Sequence, residues 1–336
     1  MEPGLVDIFL EIGKRGNWGK GFEKPEELSA RIECYSKKLM NEFDTHSVWR
    51  FQLQLINWLE NVNKLKDKYL LLNSLSYFTF FNREQCNALY REALYGPTYK
   101  WLIDIKNYEI TDPKLNNKLN KSIDQTCFSA ATDSMDIATF RHVCGNVKTL
   151  HQTWFAYVNR KDSRKKIKEK VELCKKDLND RKFKQIVVLD DFIGTGRQTE
   201  GVIDFLGYFQ EWPILFIPLL VCPQGDFAIS EHLREKRLQH ISYEPVSILP
   251  WELILADDRL PDSKPYLPQL DNLKKFAEAI HEKIFDKDDP KVLGYLGYGD
   301  IGALFAKYSN CPNNTLPLYH DESNRWIPLF KRSKRK

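Results

Sequence analysis

Apolar residues in the first part of the chain recur at the spacing of an amphipathic helix. Phe51, Leu55 and Trp58 follow one another at intervals of four and three residues, which places them on one face of a helix. The pattern predicts helices over residues 26–41 and 49–65. These are the first members of a predicted helical region.

The next segments extend this helical region to about residue 110. Residues 67–81 are apolar on nearly every side and are expected to be buried, and a further helix is expected to begin at Asn82 and to end near Pro97. The stretch 106–124 is polar and rich in Asn and Lys, which predicts a linker or surface loop. We therefore expect residues 1–110 to form a helical cap or a surface that docks a partner.

From about residue 125 the pattern changes to short apolar runs separated by charged helical segments. Continuous apolar, β-branched runs are typical of parallel strands that are buried on both faces. Strands that alternate with helices favour a mostly parallel sheet with crossover helices, so the predicted class is α/β. Strands are predicted from Cys127 and at 154–158, 186–189 and 213–222, and a charged helix is predicted over 163–177.

The strand predicted at 186–189 is followed by two acids and a glycine-rich turn. Asp190 and Asp191 stand at its carboxyl end, where open α/β sheets bind ligands. The turn 194–196 lets backbone N–H groups point at an anion, and a helix predicted over 198–206 adds partial positive charge at its N-terminus. This arrangement suits a sugar phosphate, with the acids for ribose hydroxyls and a metal ion and the amides for the phosphate.

Other phosphate-binding patterns do not fit this turn. A dinucleotide fingerprint requires Gly-x-Gly-x-x-Gly, but Gly194 and Gly196 are followed by Thr199, and no Gly-x-x-x-x-Gly-Lys-Ser/Thr motif occurs in the chain. The alternative without function is a strand–turn–helix joint with two exposed acids. Adjacent aspartates are costly to hold together unless a cation or hydroxyls meet them, which favours a ligand site.

The segment 186–199 resembles the motif with which type I phosphoribosyltransferases bind phosphoribosyl pyrophosphate (PRPP). That motif consists of four apolar residues, two acids, two apolar residues, a variable residue and Thr-Gly-x-Thr. The resemblance implies that Asp190 and Asp191 are the catalytic residues and hold the ribose hydroxyls and Mg²⁺. It also implies that the 5′-phosphate is held by a loop composed of Ile193, Gly194, Thr195, Gly196, Arg197, Gln198 and Thr199.

Gln198 departs from the motif. The family has a Thr or Ser hydroxyl on the phosphate at this position, and Thr199, the next residue, is the candidate substitute. The resemblance therefore supports ligand binding more firmly than turnover. The sequence leaves two interpretations open, an active enzyme and a catalytically inactive sensor of nucleotides.

A second polar segment follows the strand that begins at Cys127. In phosphoribosyltransferases the loop after the first core strand touches pyrophosphate, so the resemblance makes Asp133, Ser134 and Arg141 candidates for that contact. The alternative is that Asp133 or Ser134 caps an ordinary helix that continues to His142.

The C-terminal segment has two distinctive parts, Gly297-Tyr-Gly299 and Trp326-Ile-Pro-Leu-Phe-Lys-Arg332. Together with the acidic pair, it resembles the phosphoribosyltransferase-like effectors of bacterial conflict and anti-phage systems, some of them associated with retrons. The resemblance covers residues 125–332 and leaves 333–336 as a basic tail. It implies an effector that binds PRPP or a nucleotide with Mg²⁺ and acts on a ribose N-glycosidic or pyrophosphate centre. A partner-binding module is the alternative, and a regulator of transcription is less favoured because no recognition helix is evident.

The overall charge does not by itself indicate a partner, but the basic residues are clustered. The formal net charge is +4, from 50 basic and 46 acidic residues. Residues 160–170 contain seven basic residues and the tail 331–336 contains five. These segments are either a solvated helix face and a disordered tail, or an electrostatic contact with nucleic acid or a nucleoprotein partner. The resemblance makes a defence-system protein, such as a reverse transcriptase with its RNA and DNA, a candidate partner for them or for the helical region.

Cysteine spacing and hydropathy exclude several classes. The seven cysteines form no C-x-x-C pair, which argues against a zinc ribbon or a disulfide framework. No apolar run approaches the length of a membrane span, and the first residues lack a charged-then-apolar signal pattern. We expect a cytoplasmic protein with no membrane partner.

Overall fold

A computed structural model gives the fold and describes residues 51–145, 147–149, 164–255, 268–285, 293–308 and 311–332, together with Ala30 and Cys34. The strand predicted over 154–158, the tail 333–336 and, apart from Ala30 and Cys34, the helix predicted over 26–41 lie outside the described residues.

The described elements alternate between helices and short strands. The α-helices are α1 (Phe51–Glu60), α2 (Leu65–Ser74), α3 (Arg83–Ala93), α4 (Tyr99–Lys106), α5 (Leu115–Asp124), α6 (Ile137–Val143), α7 (Arg164–Asp180), α8 (Arg197–Leu206), α9 (Pro223–Lys236), α10 (Pro268–Ile284) and α11 (Pro317–His320). The strands are β1 (Thr79–Phe81), β2 (Thr126–Ala130), β3 (Gln185–Asp190), β4 (Ile214–Pro218), β5 (Leu220–Val221), β6 (Ile241–Tyr243), β7 (Ser247–Ile248) and β8 (Phe305–Lys307). A π-helical turn (Leu94–Thr98) joins α3 to α4, and two 3₁₀ turns lie at Trp251–Leu253 and Tyr298–Asp300.

The chain divides into two compact units. Unit 1 consists of Met1–Glu84 and Trp251–Lys336, and unit 2 of Gln85–Pro250. This division differs from the expected boundaries at 110 and 125. The difference arises because the chain between 85 and 124 packs with the sheet of unit 2, whereas the helices before it pack with the C-terminal segment.

Unit 2 is built on a parallel sheet with the strand order β2-β3-β4-β6. Alternate residues of the central strands enter two separate cores, since successive side chains of a strand point to opposite faces. Ile186 and Val188 belong to one core, and Val187 and Leu189 to the other. All six residues of β3 are buried, which accounts for its continuous apolar run.

Helices cover both faces of this sheet. Buried residues of α7, α8 and α9, such as Cys174, Ile203 and Ile229, pack in the core that contains Ile186. Residues of α3 to α6 pack in the opposite core, including Trp101 of α4 and Phe140 of α6. The α/β class with a mostly parallel sheet flanked by helices is confirmed.

Two local predictions on this second layer are wrong. The stretch 106–124 is not a linker, because α5 buries Leu119 on the sheet through its spacing of apolar residues. The helix expected to end near Pro97 continues through a π-turn into α4. Proline has no N–H to offer the carbonyl four residues earlier, and the Thr98 hydroxyl donates to that Ala93 carbonyl at 2.7 Å instead.

Unit 1 has an aromatic core that joins residues distant in sequence. The indole N–H groups of Trp58 and Trp326 both donate to the Leu318 carbonyl, at 2.8 and 2.9 Å. Phe78 stacks on Phe330 with the ring centroids 4.9 Å apart. The terminal Trp-x-Pro-Leu-Phe segment is therefore part of the core of this unit.

Candidate functional site

The acidic pair lies where two neighbouring strands of unit 2 end. Asp190 is the last residue of β3, and Asp191 follows it. Because β2 runs parallel to β3 in register, the turn after β2 meets the same edge of the sheet. There the Thr132 hydroxyl donates to Asp190 Oδ1 at 2.7 Å, and the Ser134 hydroxyl donates to Asp191 Oδ1 at 2.8 Å.

Both carboxylates are withdrawn from solvent. Asp190 is 2% exposed and Asp191 is 7% exposed. Two buried carboxyl groups side by side are unfavourable unless hydrogen bonds or cations stabilise them. The hydroxyls of Thr132 and Ser134 supply part of that stabilisation, and the Asp191 N–H donates to Asp190 Oδ1 at 3.0 Å. The alternative of two exposed acids at a plain joint is therefore wrong.

The glycine-rich loop beside the acids is shaped by a close backbone contact. Gly196 has φ of 77°, a left-handed conformation that favours glycine, and it precedes the first residue of α8. Gly225, near the start of α9, lies so close that a Cβ on it would stand 2.4 Å from the Gly194 carbonyl oxygen. A Cβ on Gly196 would in turn be 3.2 Å from the Gly225 carbonyl oxygen. The loop is thus held between the starts of two helices.

The N-terminus of α8 lies at this loop, where the Thr195 hydroxyl accepts from the Arg197 N–H at 3.4 Å. Gly196 provides no side-chain cap, and the helix carries partial positive charge at this end. Arg197 and Gln198 are exposed in the first turn. Thr199 is only 3% exposed and shares a helix face with the buried Val202. Thr199 is therefore directed at the core, whereas Gln198 stands at the loop position that carries the hydroxyl in the family motif.

The three candidates for a pyrophosphate contact have different positions. Ser134 is bonded to Asp191, as described above. Asp133 is exposed in the same turn, and Arg141 is exposed in the last turn of α6. The expected cap of this helix by Asp133 or Ser134 is wrong, because Asp136 is the N-cap and accepts from the Thr139 N–H at 2.9 Å.

Two residues of this site carried weaker signals in the sequence. Thr132 lies in the polar turn after β2, but its contact with Asp190 spans 58 positions and depends on the strand order. Gly225 comes just past a predicted strand, so the sequence indicates a turn there. It does not indicate that Gly225 lies against Gly194. Both residues support the acids and the loop predicted from the motif.

The donor set fits Mg²⁺ that arrives with a phosphorylated ligand. Among the residues the structure describes, no group of three or more His, Cys, Asp or Glu side chains could hold a metal. Mg²⁺ does not require such a cage, because proteins commonly bind it through one or two carboxylates together with substrate phosphates. Asp190 and Asp191 provide that pair of carboxylates next to the N-terminus of α8.

The cysteines do not contribute a reactive thiol to this site. Cys34 is exposed and the other six cysteines are buried. Burial raises the pKa of Cys144 and of Cys174 to about 12. Both thiols are protonated at neutral pH, which is typical of structural cysteines.

The chain belongs to the PRTase-CE family, a phosphoribosyltransferase-like family whose model matches residues 55–332. The matched residues include helices α2 to α5 as well as the sheet. No curated protein and no solved structure gave a significant match. Within the described part of the chain, no helix is both long and apolar enough to cross a membrane.

Proposed function

We propose that unit 2 binds PRPP or a nucleotide, together with Mg²⁺, at the carboxyl ends of β2 and β3. The observation that carries the proposal is the pair of buried carboxylates, Asp190 and Asp191, fixed by two hydroxyls beside the N-terminus of α8. Burying two acids side by side costs free energy, and hydrogen-bond donors or a cation offset that cost. A ligand with ribose hydroxyls and phosphates offers the donors and the cation that this arrangement requires.

Each part of the site has a role in this proposal. Asp190 and Asp191 accept hydrogen bonds from the ribose hydroxyls, and Thr132 and Ser134 hold the two carboxylates in place. The loop from Gly194 and the first turn of α8 bind the 5′-phosphate through backbone N–H groups. Mg²⁺, when bound, neutralises charge on the phosphates. Asp133 and Arg141 remain candidates for a pyrophosphate contact.

The chemistry would take place at the ribose anomeric carbon or at the pyrophosphate. Bond cleavage at that carbon leaves positive charge on the ribose, and fixed carboxylates close to the ring stabilise it. Asp190 and Asp191 are already oriented by hydrogen bonds, so little reorganisation is required. These two residues are the proposed catalytic residues.

We propose further that the protein is an effector of an anti-phage defence system and acts in the cytoplasm. The support is the resemblance of the C-terminal segment to such effectors, some of them associated with retrons. A defence-system protein or nucleoprotein, such as a reverse transcriptase with its RNA and DNA, would contact the N-terminal helices or the basic segments.

A sensor without turnover is a second candidate, and Gln198 favours it. The amide side chain is exposed at the position that carries a phosphate-binding hydroxyl in the family motif, and Thr199 faces the core. Such a site would bind a nucleotide and signal to a partner without transferring the ribosyl group.

A ligand series tests the proposal directly. Isothermal calorimetry with Mg²⁺ would compare PRPP, ribose 5-phosphate, ATP and NAD. Binding of PRPP supports a phosphoribosyl donor site, and binding of ATP or NAD alone supports a nucleotide-degrading or sensing site. If none of the four ligands binds, the proposed site is wrong for the isolated protein.

A further inference from the structure

Helix α7 has an unusual distribution of charge. Its first seven residues, 164–170, include five basic residues and one acid, whereas 171–180 include two basic residues and three acids. The first turn contains no acid. Positive charge at a helix N-terminus opposes the helix dipole, so this arrangement costs stability. Local rules broken in this way often mark a functional surface.

The contacts of α7 determine which end of the sheet its basic segment approaches. Lys175 forms an ion pair with Glu211 at 2.7 Å, and Glu211 lies in the connection that leads into β4. The Trp212 indole in the same connection donates to the carbonyl of Phe183, just beyond α7, at 3.1 Å. The C-terminal part of α7 therefore lies at the amino edge of the sheet.

The basic segment consequently approaches the opposite edge. Lys165 is ten residues before Lys175, which corresponds to about 15 Å of helix. A strand of five residues such as β2 spans about 17 Å. The start of α7 thus lies at the level of the carboxyl ends of the strands, where Asp190 and Asp191 are found.

The basic segment also shares a layer with the phosphate loop. Val171 of α7 and Val202 of α8 belong to the same core on one face of the sheet. The N-terminus of α8 begins at the loop, so both helices present their first turns at the same edge. Lys165 and Lys168 are exposed there.

We propose that the basic start of α7 is a nucleic-acid-binding surface beside the ligand site. Lysine ammonium groups bind phosphates as point charges, and those on neighbouring helical turns lie within one Debye length of about 8–10 Å. A nucleic acid meets several of these charges at once, so its attraction to this surface is stronger than that of a single phosphate. This inference rests on the proposed function in one respect, namely that the nucleic acid binds beside the proposed ligand site.

The test uses fluorescence anisotropy with a labelled single-stranded oligonucleotide of mixed sequence, as RNA and as DNA, over a series of salt concentrations. The variant is Lys165→Glu with Lys168→Glu. Loss of two phosphate contacts should weaken binding at least about tenfold and reduce the slope of log affinity against log salt by about 1.4. The variant should keep its thermal stability, because acids suit a helix N-terminus.

The control is Lys176→Glu with Lys184→Glu, which makes the same change of charge at exposed positions toward the opposite edge. Retention of the wild-type salt slope in the control supports the surface. An equal loss in both variants, or no binding by the wild-type protein at about 0.1 M salt, overturns it.

PRPP calorimetry on the same variants separates this inference from the proposed function. If Lys165 and Lys168 govern oligonucleotide binding but the wild-type protein binds neither PRPP nor a nucleotide, the surface stands and the proposed site fails. If PRPP binds and oligonucleotide binding does not depend on these lysines, the proposed site stands and the surface fails.

Discussion

The Ser134 hydroxyl donates a hydrogen bond to Asp191 Oδ1 at 2.8 Å and so joins the turns after β2 and β3 across 57 positions of sequence. Thr132 makes the equivalent contact with Asp190. The Thr132 and Ser134 oxygens are themselves 2.8 Å apart. These three contacts form a connected set of polar groups in which each carboxylate receives one hydroxyl.

Removal of the Ser134 hydroxyl should weaken ligand binding without unfolding the protein. A hydrogen bond to a charged group contributes about 1.5–3 kcal/mol, so Ser134→Ala should raise the Kd for PRPP by roughly tenfold or more. Calorimetry measures this change. The control is Ser129→Ala in β2, since the Ser129 Oγ is buried and meets no hydrogen-bond partner among the residues the structure describes. The Ser129→Ala variant should bind PRPP as the wild type does. An equal loss of PRPP affinity in both variants would show that the effect of Ser134→Ala comes from a general disturbance of β2 and its turn, not from the lost hydrogen bond to Asp191.

Substitution of Gln198 by threonine should restore the family's phosphate contact. Gln198 is exposed in the first turn of α8, where a hydroxyl can reach a phosphate bound at the helix N-terminus. One additional hydrogen bond of about 1 kcal/mol should lower the Kd for ribose 5-phosphate about fivefold. The rate of any phosphoribosyl transfer should increase as well, and a pyrophosphate-release assay would measure that rate.

The neighbouring threonine provides the control for that experiment. Thr199 lies on the buried face of α8, so Thr199→Val should leave ribose 5-phosphate affinity within about twofold of the wild type. A marked loss of affinity in Thr199→Val would mean that this hydroxyl serves the ligand after all. No gain in Gln198→Thr would mean that the 5′-phosphate does not occupy this helix end.

Gly225→Ala should disturb the phosphate loop. Its Cβ would stand 2.4 Å from the Gly194 carbonyl oxygen, so the loop must shift. Overpacking of this kind costs about 1–3 kcal/mol in stability, and we expect PRPP binding to fall by tenfold or more. Gly207→Ala, at the other end of α8 with nearest contacts of 3.2 Å, should keep both properties close to wild type. Unaltered PRPP binding in Gly225→Ala would refute the role of this contact.

The buried thiol of Cys174 should make stability depend on alkaline pH. Burial raises its pKa from 9.0 to about 12, so the unfolded chain loses this proton at lower pH than the folded protein does. The protonated thiol contributes fully to the free energy of unfolding below pH 9. That contribution is lost between about pH 9 and 12, at up to about 1.4 kcal/mol per pH unit. Urea unfolding should therefore show that Cys174→Ala is less stable than wild type at pH 8 by a margin that shrinks at pH 10. A constant margin would contradict the shift.

The central strand and the acids could be predicted from sequence because their signals are local. A continuous β-branched run fixes β3 as a buried strand, and the acids and glycines follow it directly. The roles of Thr132 and Gly225 could not be predicted in the same way. Thr132 meets Asp190 only because β2 is the neighbour of β3, and Gly225 meets Gly194 only because α8 and α9 begin side by side.

The errors in the fold have a similar origin. The polar composition of 106–124 concealed the spacing of Leu115, Leu119 and Ile123, which is four residues throughout and places all three on one helix face. Pro97 was expected to end its helix, but the Thr98 hydroxyl compensates for the lost donor. In the first place packing on the sheet outweighed a local preference, and in the second a side-chain hydrogen bond did.

The measurement that most directly tests the central claim is Mg²⁺-dependent PRPP binding by wild type and by Asp190→Asn with Asp191→Asn. The amide substitutions keep the shape of the side chains but remove both charges. We predict that wild type binds PRPP only with Mg²⁺, and that the double variant loses at least about 100-fold in PRPP affinity. The control is Asp204→Asn, which changes an exposed acid of α8 and should keep the wild-type affinity. Equal PRPP affinity in wild type and the double variant would contradict the account.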